Sequence, residues 1–403
     1  MADSMVFASA VSTEPRADAA SAEAAARIKT TLRGGTPDLV LVFASPHFVD
    51  DAPSIHDTIR RELDPRVLTG CHGEGVIGAD REIEQSPAVS IVAARIPGGE
   101  LSPLTLRAAD LHKMLGRGGS LPNGEALPNT ASLFVMIADP FTTAMNELLS
   151  AFNASFPGTP IIGGMASAAR SPGGNVLFAN DGIQKDGAVV VGISGSVNTD
   201  VIVSQGCRPV GPVFEIDDSR DNVILGLGGK PPLQQLEIIV GELTNEERDL
   251  LRNGLFIGRA VDPKKEILGR GDFLVRGVVG VDPRSGSITI GDFVDTGDVV
   301  QFHLRDAATA QEDLEMMLTP HGLFGAPGGA LLFSCNGRGT RLYDHPNGDV
   351  SVIQRFFPGL NLAGFFCAGE IGPIGGRNFV HGHTASLVLF RPAQPRRAST
   401  PEP

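Results

Sequence analysis

The sequence predicts an α/β fold with mixed sheets packed against helices, built from repeated strand–helix–strand units and divided into two domains. Continuous apolar runs, typical of strands buried on both faces, alternate with segments of helical periodicity. A strand, a helix, a glycine-rich loop and a second strand recur three times in the same order. The 50 glycines show no collagen-like period, so they indicate many tight turns and loops lined by backbone.

The first 33 residues predict one strand and one helix that lead into the first domain. Residues 5–11 (MVFASAV) are typical of a short strand. Apolar residues then recur at helical spacing, and Gly34 and Gly35 are expected to end the helix.

The repeated unit follows this segment. A strand–helix–strand passage of its length allows a right-handed parallel crossover, and the return strand adds an antiparallel pairing. The sheets are therefore expected to be mixed. In the first copy, the strand, glycine-rich loop and return strand lie at 39–45, 70–78 and 88–96. In the second copy they lie at 132–140, 160–167 and 187–195. In the third copy they lie at 329–339, 364–376 and 385–390.

The domain boundary is predicted within the sequence GPVFEIDDSRDN, which gives an N-terminal domain at 34–218 and a C-terminal domain at 219–391. Residues 197–300 differ from the repeats, because short strands there are interrupted by glycine and proline. Residues 392–403 are rich in proline and polar side chains and are predicted to form a disordered tail.

Composition excludes several classes of partner. The net charge is −13, and no basic stripe is present, so neither nucleic acid nor an anionic membrane surface is an expected partner. No apolar run approaches the roughly 20 residues that span a bilayer, so membrane insertion is not expected. The four cysteines are too scattered for a disulfide framework, and the N-terminus lacks a basic signal region. A reducing, cytoplasmic location is expected.

The glycine-rich loops are the first candidate site. Successive glycines let backbone N–H groups line a concavity that binds anions such as carboxylates or phosphates. If the three loops meet at one end of the sheets, they can form a ligand site. Alternatively, the glycines only turn the chain. No loop has a nucleotide-binding fingerprint, since GLGGKP at 226–231 lacks the first glycine and the final Ser/Thr of a P-loop.

Two of these loops contain the sequence Cys-x-Gly-Glu. If Glu74 and Glu370 face one cleft, they can hold a ligand ammonium group or, with a water between them, act as acid and base. Alternatively, each carboxylate accepts hydrogen bonds from its own loop and keeps that loop closed. The motif residues are Cys71, Gly73 and Glu74 in the first loop and Cys367, Gly369 and Glu370 in the third.

The third copy adds polar candidates in the turn SCNGRG. Arg338 can bind a ligand carboxylate through two hydrogen bonds, and Asn336 can add an amide. The alternative is that Arg338 forms an internal ion pair with Asp344 or Asp349.

Histidines form a further candidate group. His381 and His383 project from the same face if they lie on a strand, a geometry that metal sites use, but no further ligands stand at a recognisable spacing. No metal is therefore predicted, and hydrogen-bonded histidines beneath the loop are the alternative. His47, after the first repeated strand, can contact a ligand or make a strand-end hydrogen bond.

The loop cysteines raise the question of catalysis. Cys71, Cys335 and Cys367 lie near candidate histidines, but a nucleophilic cysteine needs a stabilised thiolate. Unactivated cysteines usually behave as small hydrophobic residues. No catalytic residue is assigned, and a hydrolase or lyase that uses a loop cysteine or the paired glutamates is the alternative function.

Five motifs together resemble the FIST family, in which an N-terminal FIST domain precedes a FIST C-terminal domain. They are SPHF, GCHGEGVIG, SCNGRG, LAGFFCAGEIGPIGG and HGHTASLVLF. The likeness extends from about residue 5 to 391 and is most specific at 361–390. The resemblance implies a sensory, signal-transduction module that binds small ligands such as amino acids. The implicated residues are Cys71, Gly73, Glu74, Asn336, Arg338, Gly369, Glu370, His381 and His383.

The resemblance also bears on partners and cofactors. Related bacterial proteins often carry kinase, cyclase or chemoreceptor output domains, and eukaryotic ones an F-box. No such segment is visible here, so a separate signalling partner is expected. Some similar proteins bind haem and sense nitric oxide; here His47, His381 or His383 would be the axial ligand. Otherwise no cofactor is predicted. The leading hypothesis is a sensor that grips a zwitterion or carboxylate between the 70–78 loop and Asn336, Arg338 and Glu370.

Overall fold

The computed structural model describes residues 5–115, 121, 127–251 and 254–392. In this part of the chain, 24 strands and eight helices form three open sheets of six strands each and one closed barrel of six strands. The predicted α/β class, with mixed sheets and packed helices, is confirmed. The predicted tail at 392–403 lies outside the described residues, apart from Pro392 at the end of the last strand.

The chain forms three successive units of similar order. Unit 1 spans residues 6–95 and begins with the N-terminal strand and helix, which belong to its sheet and its helical layer. Its elements are β1 (Val6–Ser12), α1 (Ala17–Thr31), β2 (Leu39–Ala44), α2 (Ala52–Leu63), β3 (Val67–His72), β4 (Gly75–Gly78), β5 (Arg81–Glu84) and β6 (Val89–Arg95).

Unit 2 spans residues 99–195 and repeats this order. Its elements are β7 (Gly99–Leu106), α3 (Ala108–Leu115), β8 (Leu133–Ala138), α4 (Met145–Ser155), β9 (Ile161–Met165), β10 (Leu177–Ala179), β11 (Gly182–Gln184) and β12 (Ala188–Gly195).

Unit 3 begins at β13 (Val197–Ser204) and is interrupted by the barrel. The barrel segment contains β14 (Cys207–Arg220), β15 (Val223–Leu227), α5 (Pro232–Glu242), α6 (Asn245–Leu250), β16 (Phe256–Ala260), β17 (Phe273–Asp282), β18 (Ser287–Ile290) and β19 (Val299–Arg305). The predicted domain boundary at 218/219 lies within β14, so it cuts a strand of the barrel.

After the barrel the chain completes unit 3. Its remaining elements are α7 (Ala307–Leu318), β20 (Gly329–Cys335), α8 (Gly348–Phe356), β21 (Leu362–Cys367), β22 (Glu370–Ile374), β23 (Arg377–His381) and β24 (Ala385–Pro392).

Each open sheet combines parallel and antiparallel strands, as the repeats predicted. The parallel pairs are β2–β3, β8–β9 and β20–β21. The return strands β6, β12 and β24 lie antiparallel to β2, β8 and β20, respectively. Each return strand also pairs with the strand that opens its unit.

The hairpin of each unit is donated to the sheet of another unit. The hairpin β4–β5 pairs with β21 of unit 3, β10–β11 pairs with β3 of unit 1, and β22–β23 pairs with β9 of unit 2. The exchange is cyclic and interlocks the three units. As a result, residues of the predicted N-terminal domain lie inside a sheet of the C-terminal one.

The inner faces of the three sheets share one core. Phe43 of unit 1 packs against Phe333 and Phe365 of unit 3, with ring centroids 6.2 and 5.3 Å away. The outer faces are covered by helix pairs, α1 and α2, α3 and α4, and α7 and α8. No helix in the described ranges is long and apolar enough to cross a bilayer.

A glycine stands at the same position in each parallel pair. A Cβ at Gly70 or Gly163 would lie 1.8 Å from the carbonyl oxygen of Val42 or Met136, and one at Gly364 would lie 1.7 Å from that of Leu332. Gly70 and Gly163 also have φ values of +148° and +153°. Any larger residue would push the two strands apart, so the glycine permits their close approach.

Candidate functional site

The carboxyl ends of the three parallel pairs contribute to one pocket of about 420 Å³. We call it the strand-end pocket. Pro46 and Glu74 follow the parallel strands of unit 1, residues 167–170 follow β9, and Asn336 and Ala368 follow those of unit 3. Ligands of open α/β sheets bind outside the carboxyl ends of the strands, which makes this pocket the leading candidate site.

An ion pair of Glu74 and Arg341 borders the strand-end pocket. Arg341 donates from Nη1 to Glu74 Oε2 at 3.0 Å and from Nη2 to Oε1. Hydrogen bonding to Arg341 holds the pKa of Glu74 below its usual range, and the nearby charge of Arg170 acts in the same direction. At neutral pH the pocket therefore contains one carboxylate and two guanidinium groups, and about half of the Arg341 side chain is exposed.

Ser167 ties the three units together beneath this ion pair. Its hydroxyl accepts the N–H of Glu74 at 2.8 Å and donates to the carbonyl of Phe366. A serine of unit 2 thus fixes the strand ends of units 1 and 3. The backbone that carries Glu74 is held in place even though its side chain reaches the pocket.

Glu370 does not reach the pocket. It is fully buried, its Oε2 accepts the N–H of Thr384 at 3.0 Å, and its Oε1 has no hydrogen-bond partner among the described residues. Burial raises the pKa of Glu370 to about 8, so the group is mostly neutral at pH 7. The expectation that Glu74 and Glu370 face one cleft is therefore corrected: the two turns meet at the pocket through Glu74 and Ala368.

Of the two polar residues predicted in the turn SCNGRG, Asn336 borders the pocket and Arg338 does not. Arg338 is completely buried and donates from Nε and Nη2 to Asp349 at 2.9 and 2.6 Å. This is the internal pair that the sequence left open as an alternative. Arg341, three residues later, supplies the guanidinium at the pocket and was missed, because nothing in the sequence distinguishes the two arginines of this loop.

The glycines of the two motifs have packing roles. A Cβ on Gly73 would lie 2.8 Å from the ring of Phe365, and one on Gly369 would lie 2.4 Å from the terminal methyl of Met165. The two glycines allow the turns to pass close to neighbouring side chains. Neither borders the pocket.

His381 and His383 occupy different surroundings. His381 is buried and its Nε2 bonds the carbonyl of Gly372 at 2.9 Å. Nδ1 of His383 accepts from Arg305 at 3.1 Å, which places the proton on its other nitrogen. Burial lowers the pKa of each imidazole to about 4, so both are neutral at pH 7.

The contacts of His381 and His383 do not suit a metal or haem ligand. Within the described ranges, no group of three or more His, Cys, Asp and Glu side chains is placed to hold a metal ion. His381 is hydrogen-bonded inside the core, and His383 lies against a guanidinium group, so neither fits an axial haem ligand without rearrangement. His47 is an exposed residue whose Nδ1 lies 3.3 Å from Ser45 Oγ.

The cysteines are free and buried. Burial raises the pKa of Cys71 and Cys367 well above that of an ordinary thiol, and raises the pKa of Cys335 to about 12. The thiols are therefore protonated at neutral pH, a state that does not favour nucleophilic attack.

Comparisons with known proteins agree with the motifs. The model of the FIST N domain matches residues 38–230, and the model of the FIST C domain matches residues 235–373. An uncharacterized protein of Mycobacterium tuberculosis, Rv0628c, is 39% identical over 383 residues, which cover 94% of this chain and 98% of the relative. Mb0898c, an uncharacterized protein of Mycobacterium bovis, has the same identity, with 97% of its length covered. FIST domains are associated with sensory signal transduction and ligand binding. The chain belongs to the FIST family.

Proposed function

We propose that the protein is a small-ligand sensor that binds an amino acid or another small carboxylate in the strand-end pocket. The observation that carries the proposal is the Glu74–Arg341 pair at the carboxyl ends of the parallel strands. The pocket volume of about 420 Å³ suits a small molecule.

The charges of the pocket favour a zwitterion. A ligand carboxylate can take over the two donors of Arg341, since a guanidinium binds carboxylates through paired hydrogen bonds. Glu74, released from Arg341, can then accept a ligand ammonium group. Arg170 and the amide of Asn336 offer further contacts to the carboxylate. The internal ion pair is thus exchanged for two pairs with the ligand, so that Glu74 and Arg341 each keep a partner of opposite charge.

The same exchange suggests how binding is signalled. Glu74 stands at the root of the β4–β5 hairpin of unit 1, whereas Arg341 belongs to unit 3. A ligand that separates them alters a contact between the two domains, and a separate signalling protein in the cytoplasm would read that change.

Ligand-induced stabilisation tests the proposal. Thermal and urea unfolding are measured with each member of a panel of amino and organic acids. A ligand at 100 times its Kd should stabilise the protein by about 2.7 kcal/mol. Arg341→Ala should remove this stabilisation. Fluorescence of Tyr343, the sole tyrosine, gives a second readout two residues from Arg341.

Arg355→Ala is the matched control. Arg355 forms another exposed ion pair, with Glu315, and neither residue borders the strand-end pocket. This variant should keep the full ligand response. A flat response across the whole panel, or equal responses in the two arginine variants, would refute binding at this pocket.

A further inference from the structure

The β4–β5 hairpin carries a second acid, Glu82, into unit 3. Only 8% of Glu82 is exposed, and it lies at the amino end of α8. Its Oε1 accepts the N–H of Val350 at 3.0 Å, and its own N–H donates to Asn347 Oδ1 at 2.7 Å. Its Oε2 is buried without a hydrogen-bond partner among the described residues. This carboxyl group therefore lies at the contact between the exchanged hairpin and the helix.

Charged and titratable groups face Glu82 from each neighbouring segment. Asp349 on α8 is paired with Arg338 at 2.6 Å and accepts the hydroxyl of Tyr343 at 2.8 Å. On its own strand, the carboxylate of Glu84 accepts the N–H and hydroxyl of Thr340 at 2.9 and 3.0 Å. The buried carboxyl groups of Glu82 and Asp349 thus lie near one buried guanidinium, that of Arg338, and Asp349 accepts its hydrogen bonds.

This arrangement decides which carboxyl group keeps a proton. Burial, followed by the charge of Asp349, raises the pKa of Glu82 to about 8. Burial acts on Asp349 in the same sense, but the charge and hydrogen bonds of Arg338 outweigh it and leave the pKa of Asp349 below its usual range. The helix end and the N–H of Val350 favour an ionised Glu82, an effect of at most about 2 kcal/mol that burial and Asp349 exceed.

We propose that Glu82 makes the β4–β5 hairpin a pH-sensitive latch, in which the neutral acid holds the hairpin against α8 and loss of the proton favours its release. This gives the protein a response to pH that does not depend on a ligand. The latch differs from the ion pair at the strand-end pocket, because its acid is sealed beneath a helix.

The direction of the effect follows from the two protonation states. Between pH 4.5, the ordinary value for the carboxyl group, and about 8, the closed hairpin binds a proton that the open one releases. The equilibrium constant for opening should therefore increase about tenfold per pH unit in this window. Above pH 8 both states are ionised, and the constant should level off.

Amide hydrogen exchange measures the opening. Protection of the Val350 N–H, taken relative to the intrinsic exchange rate, is followed in the full chain from pH 6 to 9. It should fall about tenfold per unit and level near pH 8. Glu82→Gln keeps the acceptor for Val350 but cannot ionise, so its protection should be constant. Glu84→Gln changes the other glutamate of the same strand and should keep the wild-type slope.

Two results would overturn the latch: protection in the wild type that does not change with pH, or a slope that persists in Glu82→Gln. Should Glu82→Gln fail to fold, the ¹³C resonance of the Glu82 carboxyl group in the wild type gives its titration directly. A midpoint near 4.5 would then overturn the proposal. Neither readout uses a ligand, so the result does not depend on the outcome of the binding experiment.

Discussion

Glu74 and Glu370 both end a Cys-x-Gly-Glu sequence, yet they occupy opposite environments. Glu74 is about one-third exposed and shares a pocket with Arg341, which keeps its pKa below the usual range. Glu370 is sealed in the core with one N–H donor, and its pKa rises to about 8. The same four-residue motif therefore gives a charged surface group in one unit and a neutral buried group in another.

The register of the strands explains part of the difference. The close-packed glycine of β3 is Gly70, directly before Cys71, whereas that of β21 is Gly364, three residues before Cys367. The motif cysteines therefore hold different positions in the two parallel pairs. The glutamates hold matching positions relative to their hairpins. Glu74 lies four residues before Gly78, the last residue of β4, and Glu370 lies four residues before Ile374, the last residue of β22.

The neighbours of the hairpins explain the rest. The hairpin that follows Glu74 lies beside β21, where the open end of unit 3 supplies Arg341. The hairpin that begins with Glu370 lies beside β9, and the carboxyl group of Glu370 accepts the N–H of Thr384, the residue directly before the return strand β24. The shared motif thus places both glutamates at the start of their hairpins, whereas the tertiary neighbours of each hairpin determine the chemistry of its glutamate.

The largest expected difference is between a buried arginine, Arg338, and an exposed one, Arg341. Arg338→Ala leaves Asp349 buried without its cation and should lower the free energy of unfolding by about 3–5 kcal/mol. Arg341→Ala breaks an exposed pair and should cost no more than about 1 kcal/mol. Urea unfolding of both variants measures the difference. Similar losses would show that the two regions do not differ in burial as described.

The two glutamates should affect stability in opposite directions as pH changes. The raised pKa of Glu370 means that stability falls as pH rises from 4.5 to about 8, by about 1.4 kcal/mol per unit. Glu370→Gln removes this loss, so its stability relative to the wild type should grow over that range. Glu74 has a lowered pKa, so its contribution is present above pH 4.5 and is lost in acid.

Urea unfolding of Glu370→Gln, Glu74→Gln and the wild type at several pH values separates these effects. Glu74→Gln should lie within about 1 kcal/mol of the wild type at neutral pH and approach it further in acid. Parallel pH profiles for the two variants would contradict the contrast between the glutamates.

Local patterns were sufficient to predict the repeated units. The runs 39–45 and 132–140 contain strands that are buried on both faces, Leu39–Ala44 and Leu133–Ala138, and the return strands pair as expected. The exchange of hairpins was not predictable in the same way. Each parallel pair has a free edge that can accept a hairpin, and the alternating pattern of a short hairpin is the same whichever edge it joins.

The candidate site was predicted in part for a similar reason. Glu74 and Asn336 follow apolar strands, and the carboxyl ends of such strands meet in space. Arg338 and Arg341 share one short turn, and their roles depend on Asp349, which lies inside α8 and beneath the exchanged hairpin. That contact is set by tertiary packing, so the sequence could offer it only as one of two alternatives.

The smallest difference is expected between Cys71 and Cys367, the part of the motif that both units bury equally. Their raised pKa values imply that both thiols are protonated at neutral pH. For Cys335, with a pKa of about 12, the thiolate fraction is less than about a thousandth of that of a free cysteine with a pKa of about 8.5. Iodoacetamide labelling followed by mass spectrometry should therefore be slow for all of them in the folded protein. It should become fast for each in urea. Rapid labelling of one cysteine at pH 7 would show that the two motifs differ in thiol reactivity. It would also support the alternative function that uses a nucleophilic cysteine.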